Sequence, residues 1–478
     1  MSTSIVKCRT QAQITPLGVD CETPMFSWQM AASRTGAKQS AYRIIVSKDK
    51  TMTPIIWDSN IVKSYIQHTA LTADCTKLEP STRYYWKVFV WDEENMMHES
   101  EVTWFETGLM GKDASVWNNA QWIGSPKQTT NTACLYSYQM NVDFKTDIGN
   151  KAGIVLSARN KDNYVLFDVD MDNRTLMIYE YCDNAWDGST KEGHIPTVTI
   201  LGSKVGYIIS KDAVSEGLEH DWNTISITVD NRDLSVSINN VTVIQKEADL
   251  MPNAGFFVPR RGCLFSIGFK QLGSTAYYDN LVISDPKTNT VFQNESFSDE
   301  SGIFSVLGSC KDGILTVKNQ FELACPVPAI NLLGNFHANP SKKIASARLY
   351  ATARGSYRVK VNGIDADGSF FAPGFTDYRL RIFYQTYDVT NLLHEGENQL
   401  LATVGKGYYN GYCGYSGPMK YGEQNSFMGR MIVTYTDGSK DELVTDNSWL
   451  FTDKGAVVDS DYLDGENYDA RLLPKDLS

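Results

Sequence analysis

Tyr84-Tyr85-Trp86-Lys87-Val88-Phe89-Val90-Trp91 decides the fold. Tyr84, Trp86, Val88 and Val90 share one face of an extended chain, and Tyr85, Lys87, Phe89 and Trp91 share the other. A period of two is the strand period, because successive side chains leave opposite sides of a pleated backbone. Upstream, Tyr42-Arg43-Ile44-Ile45-Val46 reads as a strand with an apolar face, followed by a polar turn over residues 47–50. Turn residues separate such runs at short intervals, the mark of a β-sandwich. Residues 1–112 are therefore expected to form one sandwich of fibronectin type III character, with a Gly-, Asn- and Ser-rich linker over residues 108–120.

The same pattern continues downstream. Val165, Phe167, Val169 and Met171 alternate with Leu166, Asp168, Asp170 and Asp172, giving one apolar and one carboxylate-rich face. Ile225, Ile227 and Val229 lead into the turn Asp230-Asn231-Arg232-Asp233, and Leu234, Val236 and Ile238 return to Asn239-Asn240. These hairpins suit a concanavalin- or laminin-G-like jelly roll over residues 118–288, ending near Ser284-Asp285-Pro286, where proline stops a strand. Tyr357, Val359 and Val361 alternate up to Asn362-Gly363, a strong hairpin signal, and Met431 to Thr436 repeats the device before Asp437-Gly438. Residues 289–478 are read as a third sandwich. Helical periodicity is almost absent, so the expected class is all-β, with three consecutive sandwich or jelly-roll domains.

Composition agrees and excludes several functions. A chain of 478 residues is long enough for roughly three domains. Its 44 basic and 56 acidic side chains leave a net charge of −12, with no basic stripe, which argues against nucleic acid as a partner. No apolar run approaches the ~20 residues of a membrane helix. The opening Met1-Ser2-Thr3-Ser4-Ile5-Val6-Lys7 lacks the apolar core of a signal peptide. As it stands the chain reads as soluble and cytoplasmic, or as periplasmic or secreted if a signal has been lost. Nine cysteines without a Cys-x-x-Cys pair indicate neither a zinc site nor a disulfide framework. Aromatics make up 12%, including 10 Trp and 25 Tyr, which suits stacking on sugars and equally suits β-cores.

Particular motifs go beyond fold class. Ala347-Arg348-Leu349-Tyr350-Ala351-Thr352-Ala353-Arg354-Gly355-Ser356-Tyr357 with Val361-Asn362-Gly363, then Ala372-Pro373-Gly374-Phe375-Thr376-Asp377-Tyr378, Gly396-Glu397-Asn398 and Gly405-Lys406-Gly407-Tyr408-Tyr409-Asn410-Gly411, occur in one order. That series resembles the N-terminal β-domain of the bacterial α-L-rhamnosidases of glycoside hydrolase family 78, with Tyr408 where the family usually has Trp. Pro16-Leu17-Gly18-Val19-Asp20, Pro24-Met25-Phe26-Ser27-Trp28 and Phe105-Glu106-Thr107-Gly108 look like the family's leading sandwich. Gly465-Glu466-Asn467-Tyr468-Asp469-Ala470-Arg471 resembles the segment before its catalytic barrel. The middle region reads as an inserted sandwich. Ile330-Asn331-Leu332-Leu333-Gly334-Asn335-Phe336 departs from the family pattern and leaves the junction there open.

The resemblance implies cleavage of terminal α-L-rhamnosyl residues with inversion, by two carboxyl groups about 6.5–9.5 Å apart. In the family both lie in an (α/α)6 barrel to which nothing here corresponds, so no catalytic residue is assigned and the chain alone is expected to be inactive. The expected role is that of an accessory region, its partners being such a barrel and rhamnose-containing glycans. The alternative is a stand-alone carbohydrate-binding module. Some β-domains of this type bind rhamnose with calcium, and the motif loops would bring Asn362, Asp377, Tyr408, Tyr409 and Asn410 to the sandwich rim. No other cofactor is expected. Asp168, Asp170 and Asp172 lack the Gly and distal Glu of an EF-hand loop and read as a solvated strand face. Glu466 and Asp469 have no partner base in the sequence pattern. The six histidines, His68, His98, His194, His220, His337 and His394, show no metal-binding spacing.

Overall fold

A computed structural model of the chain describes residues 3–72, 77–111, 113–124, 135–147, 150–160, 162–182, 197–213, 222–248, 250–251, 264, 266–297, 310–323, 328–413, 419–422, 424–463 and 465–472. The described chain is all-β, and every strand pair in it is antiparallel. In the first region, strands Thr3–Thr10, Met25–Ala32 and His68–Ala70 form one sheet, and a second is built on Gln39–Ser47 and Arg83–Asp92. Burial along Arg83–Asp92 alternates strictly, with Tyr84, Trp86, Val88 and Val90 inside. Phe26, Trp28, Ile44 and Val46 complete the core between the sheets. The indole N–H groups of the three buried tryptophans are satisfied: Trp86 donates to Thr10 Oγ1 at 3.0 Å, Trp28 to Gln39 Oε1 at 2.9 Å and Trp57 to Thr72 Oγ1 at 2.9 Å.

The middle region is a sandwich of an eight-stranded and a seven-stranded sheet around Met140, Phe144, Ile154, Phe167, Ile227 and Phe269. Its strands run past the boundary expected near residue 286. Ile314–Lys318 pairs with Thr275–Ser284, and Phe321–Leu323 pairs with Ser266–Lys270. Pro286 thus ends one strand without ending the domain, because Val291–Glu295 folds straight back onto Thr275–Ser284. Residues 291–323 include strands of the middle sandwich, and after it strand Ile330–Ala338 belongs to the third, in the very stretch whose sequence left the junction open.

The third sandwich sets Ile344–Arg354, Gln385–Asp388, Ser426–Tyr435 and Lys440–Val444 against Ile330–Ala338, Ser356–Val361 and Gly396–Gly405. Between Ser356–Val361 and Ile364–Asp365, Asn362 and Gly363 take φ values of 50° and 80°, the left-handed pair that a two-residue hairpin loop requires. The short strand Ile123–Gly124 pairs with Ser426–Tyr435, so the third sandwich starts before the middle one and resumes after it. Asn425 touches both stems of this insertion. A Cβ on Gly124 would lie 2.2 Å from the Asn425 carbonyl oxygen, and Asn425 Nδ2 donates to Pro328 O at 3.1 Å.

The expected linker over residues 108–120 is docked structure. A 3-10 turn, Ala114–Trp117, is capped by Asp113 and lays Trp117 among Leu109, Tyr350, Met428 and Ile432. Tyr384 Oη accepts from Leu109 N at 2.8 Å and donates to the Asp20 carboxylate. Gln121 N donates to Thr445 O at 2.7 Å. Apolar burial and these bonds join the first and third sandwiches.

Candidate functional site

The one-turn helix Gly407–Asn410 organises the best candidate site. It follows strand Gly396–Gly405 and is fixed by the neighbouring strand Val457–Asp461: Lys406 N donates to Ser460 O at 3.0 Å, and Lys406 Nζ pairs with Asp459 at 2.6 Å. Asp461, 5% exposed, accepts from Tyr412 N at 2.8 Å. Gly407 is required here. Its φ is +53°, and a Cβ would lie 2.7 Å from Ser356 N.

This turn projects Tyr408 and Tyr409 into a wall of rings. Tyr408 lies 4.6 Å from Tyr462 and 5.1 Å from Phe375 between centroids, both near edge-to-face. Tyr409 meets Tyr378 at 5.6 Å, Tyr378 meets Tyr421 at 5.1 Å, and Phe371 meets Tyr462 at 5.2 Å. Edge-to-face contacts of this kind stabilise the cluster beyond its buried area. Burial pushes the Tyr378 and Tyr462 phenols up from their ordinary values, so both stay protonated and able to donate. Phe371 and Phe375 are 70% and 53% exposed, which makes the wall an apolar surface open to solvent.

Of the five sugar-site candidates, four come together and one does not. Asp377 stands beside Tyr378 with both carboxylate oxygens gripped by Arg379, at 2.8 and 2.6 Å. The guanidinium holds its pKa down at about 2. Asn410 is fully buried and donates to Asn425 Oδ1 at 2.8 Å, which makes it a bracing residue of the wall rather than part of its surface. Asn362 sits at the far end of strand Ser356–Val361, about 20 Å from Gly407 at ordinary strand rise. Its amide is used up against the segment entering strand Gly396–Gly405, donating to Leu392 O and Asn398 Oδ1 at 2.8 Å each. Sequence reasoning missed Phe371, Tyr421 and Tyr462, which come from three separate loops and have no shared spacing to reveal them.

The other carboxylate candidates are placed as follows. Lys151 Nζ lies 3.1 Å from Asp170 and 3.7 Å from Asp168, so the expected solvated face is partly neutralised, and Asp170 is only 7% exposed. Burial raises the pKa of Asp168. Asp172 accepts from Asn150 at 2.8 Å. Glu466 is exposed on strand Gly465–Tyr468, and Asp469 N donates to Ala456 O. His98 bonds Asp92, His337 bonds Glu397, and His394 bonds Glu395 O. His194 and His220 lie outside the described residues. Among the described residues no group of three or more His, Cys, Asp or Glu could hold a metal ion. Among them, too, no helix is long and apolar enough to cross a membrane.

Comparison with known proteins gives this architecture a family. Residues 342–478 match the α-L-rhamnosidase N-terminal domain, and residues 5–111 match the Rha78A-like N-terminal immunoglobulin domain. An α-L-rhamnosidase of Streptomyces avermitilis is 32% identical over 464 residues, spanning 95% of this chain and 41% of the relative. One from Formosa agariphila is 38% identical over 133 residues, 28% of this chain and 14% of the relative. The structure of Streptomyces avermitilis α-L-rhamnosidase complexed with L-rhamnose superposes on 99% of this chain and 43% of that one, with a TM-score of 0.56 at 24% identity. That of the Dictyoglumus thermophilum enzyme covers 99% and 32%, with a TM-score of 0.53 at 19% identity. The chain thus spans about two-fifths of the length of the Streptomyces relative. With recognised rhamnosidase domains at both of its ends and the alignment running through all three sandwiches, the chain belongs with the α-L-rhamnosidases as an N-terminal β-domain region.

Proposed function

We propose that this chain is the accessory region of a glycoside hydrolase that removes terminal α-L-rhamnosyl residues with inversion. The observation that carries the reading is the 32% identity maintained over 95% of the chain. Inversion needs an acid and a base held about 6.5–9.5 Å apart across a sugar ring. The carboxylates of the candidate wall do not suit that work, since Asp377 is locked by Arg379 and Asp461 is buried under Tyr412. In this reading the catalytic pair belongs to the part of the relatives that the chain does not match, a helical barrel. The three sandwiches scaffold that barrel, and the aromatic wall shapes the approach of rhamnose-containing glycans. Aryl-rhamnoside turnover tests this, measured for the chain and for the chain extended by the downstream region of the Streptomyces relative. Turnover by the extended protein alone supports the reading; reproducible turnover by the chain alone overturns it.

The exposed rings favour a second reading, a rhamnose-binding module at Tyr408, Tyr409 and Asp377. Calcium there would have to displace Arg379 from both Asp377 oxygens, and Asn362 would take no part. Calorimetric titration with L-rhamnose, with calcium and then with chelator, decides it: saturable, calcium-dependent heat that disappears in Tyr408→Ala supports the module.

A further inference from the structure

The outer face of the seven-stranded sheet in the middle sandwich carries an arrangement that the rhamnosidase reading does not use. Strands Thr175–Cys182, Asn163–Asp170, Lys151–Asn160, Ser266–Lys270 and Phe321–Leu323 are neighbours in that order. Their inward residues Ile154, Phe167 and Phe269 fill the core, while Val155, Tyr164 and Leu166 form a second small cluster on the opposite side. Tyr181 lies opposite Tyr164 in the register, and their rings stack at 4.4 Å and 13°. Phe321 approaches Tyr164 edge-on at 4.9 Å.

Lys270 ends among these rings. Its Nζ is 4.4 Å from the Tyr181 centroid, 4.8 Å from Tyr164 and 5.6 Å from Phe321, and it donates to Tyr164 Oη. An ammonium has three donors, and no carboxylate among the described residues pairs with this one. Of the carboxylates nearby, Asp168 and Asp170 are drawn to Lys151 on the adjoining strand Lys151–Asn160, and Asp162 acts on Lys270 through its charge. Burial depresses the Lys270 pKa, the charge of Asp162 opposing it. A half-buried cation with spare donors, set in a box of π-faces, is chemically complementary to an anion attached to a flat apolar ring. Tyr181, Phe321 and Lys270 all remain partly exposed.

We propose that this face binds a carboxylate-bearing sugar, a uronate-containing glycan, with the pyranose stacked on Tyr181 and its carboxylate on Lys270 Nζ. The proposal rests on the carbohydrate reading above and adds a ligand class and a second site far along the chain from the aromatic wall. The test is calorimetric titration of the whole chain with trigalacturonate, with L-rhamnose, and with a neutral β-glucan oligosaccharide as control. Trigalacturonate should bind, more weakly as sodium chloride is raised, because charge pairing at a partly exposed site is screened. Lys270→Met keeps an unbranched apolar side chain while removing the charge, and should weaken uronate binding at least tenfold. Lys270→Gln serves if the first variant loses its near-ultraviolet dichroism. Tyr408→Ala should leave uronate binding unchanged. Equal binding by Lys270→Met and the parent, or binding of neutral glycans but not of trigalacturonate, overturns this proposal alone. No heat with any glycan overturns it together with the carbohydrate reading.

Discussion

The Arg348 guanidinium holds both oxygens of the Glu106 carboxylate, at 2.5 and 3.1 Å, across the junction between the third and first sandwiches. Arg83 reaches the same carboxylate from the first sandwich at 3.0 Å, and Asp388 lies 2.8 Å from the other side of Arg348. Glu106 and Arg348 have side chains only 6% and 9% exposed, so neither charge can turn to water if its partner is removed. Removing one member of such a pair typically costs about 3–5 kcal/mol. Arg83 stays on Glu106 in Arg348→Ala, so the unfolding free energy of the joined sandwiches, read from urea titration, should fall by about 3 kcal/mol, the lower end of that range. Double substitution to Arg348→Met with Glu106→Leu should cost less than the sum of its parts. Additive losses would show that the pair does not act as a unit.

A pH prediction follows from Asp92, which is 3% exposed. It accepts from His98 at 3.0 Å and from Met96 N and Glu94 N at 2.9 and 3.0 Å. The His98 bond leads in lowering its pKa from 3.8 to about 2. A depressed carboxylate stabilises the fold above its unfolded pKa and loses that contribution as pH falls through the folded one. Stability of the first sandwich should hold down to about pH 4 and decline toward pH 2, and Asp92→Asn should flatten the decline. Thermal scans from pH 2 to pH 6 measure both slopes. Parallel curves for parent and variant would exclude Asp92 as the source.

Much of this architecture was legible because strand periodicity is local. The alternation at Tyr84–Val90 and the Asn362-Gly363 loop each depend on a few neighbouring residues, and both appear in the structure as read. The domain boundary was not legible, because Pro286 marks the end of a strand whether or not another follows. What placed Ile314–Lys318 in the middle sandwich is its pairing with Thr275–Ser284, a long-range choice with no local signature. The same limit applied to the candidate site. Tyr408 and Tyr409 stood out within one motif, whereas Tyr421 and Tyr462 join them only through tertiary packing. Asn362 belonged to a recognisable motif too, but a strand's length separates it from the rings.

Gly407 offers a direct probe of the aromatic wall. An alanine there meets two costs, a positive φ of 53° and a Cβ pressed to 2.7 Å from Ser356 N and 2.8 Å from Gly355 C. Gly438 is the matched control, since its φ is 82° and nothing lies within 4 Å of its Cβ position. Gly438→Ala should cost about 1–2 kcal/mol, the left-handed penalty alone. Gly407→Ala should cost more than that and should reduce the near-ultraviolet tyrosine dichroism, because Tyr408 and Tyr409 must shift. Equal effects from the two variants would mean that the turn has room to relax.

Asn425 makes a prediction about the insertion itself. The residue is 1% exposed; its side-chain amide donates to Pro328 O at one stem and to Val404 O, its side-chain oxygen accepts from Asn410 behind the wall, and its backbone carbonyl lies against Gly124 at the other stem. Asn425→Ala strands the Asn410 amide and the Pro328 carbonyl, each a loss of about 1–3 kcal/mol if it stays buried without a partner. The sheets of the middle sandwich do not depend on Asn425, so they should survive while the stems loosen. Limited proteolysis should then release a fragment of the middle sandwich's size sooner than from the parent chain, with the joined first and third sandwiches remaining resistant. Simultaneous loss of all three would mean that the insertion and its host unfold as one unit. An unchanged digestion pattern would mean that backbone pairing of Ile123–Gly124 and Ile330–Ala338 holds the stems without the side chain.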